Sequence, residues 1–168
     1  MRFSALATVL AVTLAACSSG KSEGAQSAQG NAAASAPAAG TRHPTSGLAV
    51  VPLTVTSAKG KHAFKVEVAG TAEEQARGLM FRTAMGADEG MIFPMNPPRM
   101  ASFWMRNTVI PLDLIFVGQE RKILNIAAQA VPYDETPLIS NGRVIAVLEL
   151  NGGRAAQLGI APGDKVEW

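Results

Sequence analysis

Two carboxylates lie in stretches where a charge is costly. Asp113 sits in Pro111-Leu112-Asp113-Leu114-Ile115-Phe116-Val117, and Glu149 sits in Val144-Ile145-Ala146-Val147-Leu148-Glu149-Leu150. A strand that is apolar on both faces is buried on both. Strand alternation puts Asp113 on the face of Ile115 and Val117, and Glu149 on the face of Ile145 and Val147. An ionised carboxylate there needs a cation or several hydrogen-bond donors, and Arg77, Arg82 and Arg106 are the candidate cations. Two chemistries fit. In one, Asp113 and Glu149 act as acid and base in a polar cleft, with Trp104 stacking on a sugar ring, as in carboxylate-pair glycosidases. In the other, each acid is locked to an arginine or capped by backbone donors and only fixes strand register. Arg77 has a plainer partner as well, Glu73 one helical turn earlier.

Trp104 shares strand parity with Met100, Ser102 and Arg106, while Ala101, Phe103 and Met105 point the other way. The second face reads as core. The first reads either as a binding groove, where aromatic and arginine side chains are favoured, or as a place where a large indole is buried with its N–H satisfied. The groove reading gathers Trp104, Arg106, Asn107, Asp113 and Glu149, with Arg77 and Arg82 nearby. Six methionines, Met80, Met85, Met91, Met95, Met100 and Met105, crowd one segment. Thioethers can hold Cu(I), but no His or Cys is interleaved, and filling of irregular core gaps explains them. No metal and no cofactor is expected. His43 and His62 offer no Ser-His-Asp arrangement.

The elements that must position these residues can be read from periodicity. Val51, Leu53 and Val55, a turn at Lys59-Gly60-Lys61, then Phe64, Val66 and Val68 against Lys65 and Glu67, predict a β-hairpin with one wet face. Thr71-Ala72-Glu73-Glu74 is a capping box that predicts a helix to about Met80, packing Ala72, Ala76 and Leu79 on the sheet. Further strands are expected over Gly90–Pro94, Met100–Met105, Leu112–Val117, Ile123–Ile126 and Val144–Leu150. A short helix from Gly152 to Leu158, closed by Gly159, and a turn at Pro162-Gly163 lead into a last strand ending at Trp168. The expected class is α+β, mainly β: a small twisted antiparallel sheet or partly closed barrel with one or two short helices.

Arg77-Gly78-Leu79-Met80, Gly90-Met91-Ile92-Phe93, Ser102-Phe103-Trp104-Met105-Arg106-Asn107-Thr108, Pro111-Leu112-Asp113 and Leu148-Glu149-Leu150 follow one another in a familiar order. From about Phe64 to Val166 the chain resembles the domain of unknown function 192 family. The resemblance implies a small β-rich fold, often exported. It implies no reaction, cofactor or substrate, so no catalytic role carries over.

Upstream of that domain, Arg2 precedes an apolar run from Ala5 to Ala16, the layout of a secretory signal and too short for the roughly 20 residues of a membrane span. Leu14-Ala15-Ala16-Cys17 followed by Ser18-Ser19 resembles a bacterial lipobox, with Cys17 as the lipidated first residue of the mature protein. Cys17 is the only cysteine, so no disulfide, zinc cluster or thiol catalysis is available. The expected organisation is a signal peptide over 1–16, a flexible lipid-anchored tether over 17–47 rich in Ala, Gly, Ser and Gln, and one globular domain over 48–168. Fifteen basic and thirteen acidic residues, scattered in sequence, give no nucleic-acid footprint and no polybasic membrane patch. The expected role is that of a non-enzymatic envelope module on the periplasmic face of a membrane, the outer rather than the inner given Ser18 after the cysteine. It would bind an unknown envelope ligand or protein. The rivals are a hydrolase of envelope polysaccharide through Asp113 and Glu149, and a structural or assembly protein.

Overall fold

The computed structural model describes residues 41–168. The signal segment, Cys17 and most of the tether lie outside the described residues. Strands β1 (Val50–Ser57) and β2 (Gly60–Val68) form the hairpin, paired from Val50↔Glu67 to Ser57↔Gly60. Helix α1 (Ala72–Arg77) starts on the capping box: the Thr71 hydroxyl accepts from the Glu74 N–H at 3.2 Å, and the Glu74 carboxylate accepts from the Thr71 N–H at 2.8 Å. These contacts hold the Glu74 carboxyl below the usual carboxylate range, chiefly through the backbone N–H groups of Thr71 and Gly70. The helix stops at Arg77, short of Met80, because Gly78 turns to φ 48° and its N–H closes on the Glu74 carbonyl. Ala72 and Ala76 are exposed and only Leu79, past the helix end, enters the core, which corrects the expected apolar face of the helix.

The remaining elements are β3 (Glu89–Arg99), β4 (Ser102–Phe103), β5 (Leu112–Gly118), β6 (Ile123–Ala130), β7 (Leu138–Ile139), β8 (Val144–Asn151), α2 (Arg154–Leu158) and β9 (Lys165–Glu167). Seven strands make one sheet in the order β6-β5-β8-β3-β2-β1-β9, and β4 pairs with β7 in a small ribbon. One departure from an antiparallel sheet is the parallel pairing of β2 with β3, Lys65↔Glu89 to Val68↔Ile92, which the crossover through α1 permits. The strand expected over Met100–Met105 shrinks to two residues, and its partner β7 is not among the strands the sequence predicts.

The sheet curls until its edges touch. Lys122 bridges Lys165, the Ile123 N–H donates to the Asp164 carbonyl, and the Gly163 N–H donates to the Ile123 carbonyl. The result is a half-barrel, mainly β as expected. Its interior takes side chains from all seven strands, among them Leu53, Val66, Ile92, Val117, Leu148 and Val166, with Ala155 of α2 and Ile160 closing one end. Phe93, Leu114, Phe116, Val147, Met91 and Met105 form a second core on the outer face, beneath the segments around 79–85 and 101–110. Residues 41–47 also belong to the folded unit: Arg42 bridges Ala49, and His43 and Gly47 exchange backbone hydrogen bonds with their neighbours, which carries order seven residues upstream of Leu48.

Candidate functional site

Asp113 is completely buried on the inner face and accepts three backbone hydrogen bonds, from Gln129 at 2.8 Å, Gly153 at 2.9 Å and Ala155 at 2.8 Å. Each donor would otherwise be an orphan. Gln129, at φ 50°, sits where β6 carries one residue more than β5, between the pairs Leu112↔Ala130 and Leu114↔Ala127, so its N–H leaves the ladder. Gly153 and Ala155 open α2, whose N-cap supplies no side-chain acceptor. The carboxylate therefore ties a bulge to a helix start. Among the described residues no arginine pairs with it, and it lines neither of the two cavities described below.

Glu149 is on the other side of the sheet. In the β5–β8 register Asp113 faces Leu150, while Glu149 faces Leu114, so alternation sends the two carboxyls to opposite faces. The acid/base pair has no common cleft. Glu149 lies instead in a row across the outer face, Glu67 of β2, Met91 of β3, Glu149 of β8 and Leu114 of β5. Two buried acids thus flank one methionine, at ladder spacings of about 4.8 Å per strand. Arg82 holds Glu67 through two guanidinium contacts, Nη1 to Oε1 at 2.9 Å and Nη2 to Oε2 at 3.1 Å, with the Ser46 hydroxyl and His43 beside it. Glu149 has no such partner among the described residues. Burial alone pushes its carboxyl up to about 8, so at neutral pH it keeps its proton.

Above Glu149 opens a cavity of about 430 Å³. Its walls are Leu79, Phe93, Met95 and Phe103, with the Phe103 ring edge-on to Phe93 at 5.1 Å and to Phe116 at 6.5 Å. The Thr108 side chain is a second buried polar lining group. Trp104, 48% exposed, stands at the mouth with the Arg106 guanidinium 5.0 Å from its ring, and Arg106 reaches Glu135 at 3.4 Å. Arg77 and Arg99 complete the rim, neither paired with an acid among the described residues; Arg99 touches the amide oxygen of Gln75 at 3.4 Å.

The mouth is fixed by backbone rather than side chains. Phe81, Asn107 and Tyr133, on the three segments around it, all adopt positive φ, a conformation that costs a non-glycine residue of order 1 kcal/mol or more. Each is stapled: the Phe81 N–H donates to the Asn107 carbonyl, and the Tyr133 N–H is shared between the carbonyls of Met105 and Thr108. Ser140 and Ala101 bond through their main chains and the Ser140 hydroxyl, locking the ribbon of β4 and β7 below. Gly78 lines the cavity where a Cβ would lie 3.3 Å from the Phe93 ring.

Of the residues expected to form a groove, Trp104, Arg106, Arg77 and Glu149 are brought together. Asp113 is not. Arg82 is spent on Glu67 and lines a separate hollow of about 460 Å³ between the 45–48 and 81–84 segments, and Asn107 is an exposed loop residue whose amide touches only the Met80 sulfur, at 3.9 Å. Glu67 itself belongs to no wet face: residues 41–49 fold over it. Arg99, Glu135, Thr108 and Phe93 were not singled out from the sequence; the arginines flanking the Phe-Trp segment were the available signal. Met91, Met95 and Met105 are buried in the outer core and Met85 packs against it, which accounts for most of the methionine cluster as packing.

Over residues 54–168 the chain matches the DUF192 family, described as an uncharacterized ACR. A protein of unknown function from Novosphingobium aromaticivorans, known from its crystal structure, is 66% identical; the match covers 79% of this chain and 94% of that one, with a TM-score of 0.76. A candidate transcription regulator from Sinorhizobium meliloti, also a crystal structure, is 37% identical over 71% of this chain and 94% of its own, with a TM-score of 0.69. No curated protein matches the chain.

Proposed function

The chain belongs to the DUF192 family, and from that premise we propose that it is a non-enzymatic ligand-binding module of the cell envelope, anchored by lipid on Cys17, with the cavity over Glu149 as its binding site. The observation that carries this reading is the cavity itself. Its volume falls in the range of small-molecule sites, and its lining sets Leu79, Phe93, Met95 and Phe103 beside polar groups, among them the buried Glu149 carboxyl, which has no hydrogen-bond partner among the described residues. An unpartnered buried carboxyl is costly for a fold to keep. A ligand that bonds to it supplies what the protein leaves open.

The opposite facing of Asp113 and Glu149 speaks against hydrolysis by a carboxylate pair. The Sinorhizobium protein is described as a candidate transcription regulator; for this chain, the scattered basic residues give no support to a role on nucleic acid. The signal peptide, the tether and the periplasmic location belong to the same proposal and rest on the lipobox-like sequence at Cys17.

Two measurements test it. Native mass spectrometry of residues 41–168, incubated with cell-wall fragments and with the small-molecule fraction of a periplasmic extract, is expected to show a bound species that Trp104→Ala loses. A protein that stays free in both mixtures refutes the binding reading. Fractionation of cells expressing the parent or Cys17→Ala is expected to find only the parent in membranes; a soluble parent removes the anchor.

A further inference from the structure

The lining of the cavity is asymmetric in charge, and the asymmetry says what it selects. The titratable groups around it are Arg77 at the end of α1, Arg99 at the end of β3, Arg106 after β4, Glu135 before β7, and Glu149 on β8. Arg106 and Glu135 face each other at 3.4 Å and largely cancel. Arg77 and Arg99 remain without an acidic partner among the described residues. The strands flanking Glu149 present Met91 and Leu114, which carry no charge, and Glu67 one strand further is neutralised by Arg82. The mouth is thus cationic and the walls apolar. The floor carries a carboxyl that would repel an anion only if ionised.

Resting on the binding reading above, we infer that this cavity takes an organic anion, a carboxylate or phosphoryl head held at the rim by Arg77 and Arg99 and an apolar body laid along Phe103 and Phe93 toward Glu149. Guanidinium groups suit such heads because their planar forks match carboxylate and phosphoryl oxygens. An ammonium ligand has the opposite preference: it would meet the two arginines first and would have to strip the proton from Glu149 to gain an ion pair. Glu149 in its protonated state is neutral and adds no repulsion to the anion. Once ionised, it repels the anion through a low-dielectric cavity. The same carboxyl therefore makes the site sensitive to alkaline pH, and Glu149→Gln, which keeps shape and neutrality, removes the sensitivity.

The experiment uses residues 41–168, since the crystallised Novosphingobium relative aligns over 94% of its own length and stands without a large additional domain. Octanoate, octyl phosphate, octanol and octylammonium are titrated at pH 7 and pH 9.5, and the amide signals of Gly78 and Phe103 and the Trp104 indole signal are followed by NMR. Octanoate and octyl phosphate are expected to bind more tightly than octanol, and octylammonium least. Anion affinity is expected to fall roughly fivefold or more between the two pH values in the parent, and to stay flat in Glu149→Gln. Arg77→Gln with Arg99→Gln should bring octanoate down to the level of octanol while leaving octanol unchanged. Octylammonium binding above octanoate overturns the anionic class but leaves the cavity a binding site. A parent that binds octanoate equally at both pH values overturns the role of Glu149. Failure of all four probes to move the three signals counts against the anion site and against the binding reading beneath it.

Discussion

Replacing Glu149 by glutamine should make the domain's stability less dependent on pH, and the size of the effect follows from the burial of one carboxyl. In the unfolded chain Glu149 ionises near its ordinary value of 4.5; in the folded protein it holds its proton to about 8. Between those values the native state binds more protons than the unfolded state, so stability falls as pH rises. This is the reverse of the usual behaviour of a salt-bridged acid. The contribution is fully present below the unfolded value and lost as pH passes the folded one. At about 1.4 kcal/mol per pH unit it totals about 5 kcal/mol, of which about 4 kcal/mol disappears between roughly pH 5 and pH 9. That is a large share of the 5–15 kcal/mol by which a domain of this kind is typically stable. Urea denaturation of the parent and Glu149→Gln at pH 5, 7 and 9 isolates the term, because every other titrating group is common to both and cancels. The parent should lose about 4 kcal/mol relative to the variant over that range, a relative midpoint shift of about 2 M at an m of about 2 kcal/mol per molar. A difference that stays constant from pH 5 to pH 9 would mean that Glu149 is ionised or partnered in the native protein. The floor of the cavity would then have been misassigned.

Other outcomes follow from the same geometry. Asp113→Ala strands the N–H groups of Gln129, Gly153 and Ala155 and should cost about 3 kcal/mol or more in urea denaturation, while leaving octanoate binding untouched in the protein that still folds. Arg82→Met leaves Glu67 buried without its cation and should cost about 3–5 kcal/mol; adding Glu67→Gln should recover most of it, and a double variant as unstable as the single one would show that the ion pair is not the cause. Trp104→Ala, at a half-exposed rim position, should change stability by under about 1 kcal/mol yet weaken binding of the apolar anions. Thr71→Ala removes one half of the capping box and should cost about 1 kcal/mol in thermal or urea unfolding.

What the sequence revealed, and what it hid, divides by range. The capping box was legible because Thr71 and Glu74 act across three residues, and the β1–β2 hairpin because its two strands differ in register by one short turn. The burial of Asp113 and Glu149 was legible from apolar residues on both parities around them. Their separation was not. Which face a side chain takes is fixed relative to its own strand by alternation, but relative to another strand only by register, and Asp113↔Leu150 is a pairing 37 positions apart in the chain. The partners of Asp113 were hidden for a related reason: backbone N–H groups carry no residue identity, and three of them converge from the β6 bulge and the α2 start. Glu67 alternated with apolar neighbours as a solvent-facing residue does, and only the fold-back of residues 41–49 buries it. The ribbon of β4 and β7 is two residues long on each side, below the length at which periodicity gives a signal.

The seam that closes the half-barrel has a kinetic consequence. It joins Lys122 and Ile123 to residues 163–165, and β9 reaches back across more than 100 positions to pair with β1. Contacts of such sequence separation slow folding, because the chain must be constrained over long loops before they form. A chain emerging from the ribosome, β1 first, holds the strand β1 with one edge unsatisfied until β9 has been synthesised. Since β8 alone joins β5 to β3, the sheet is not continuous until residues 144–151 have been made, and its seam waits for residues 163–165, so both closures come late in synthesis.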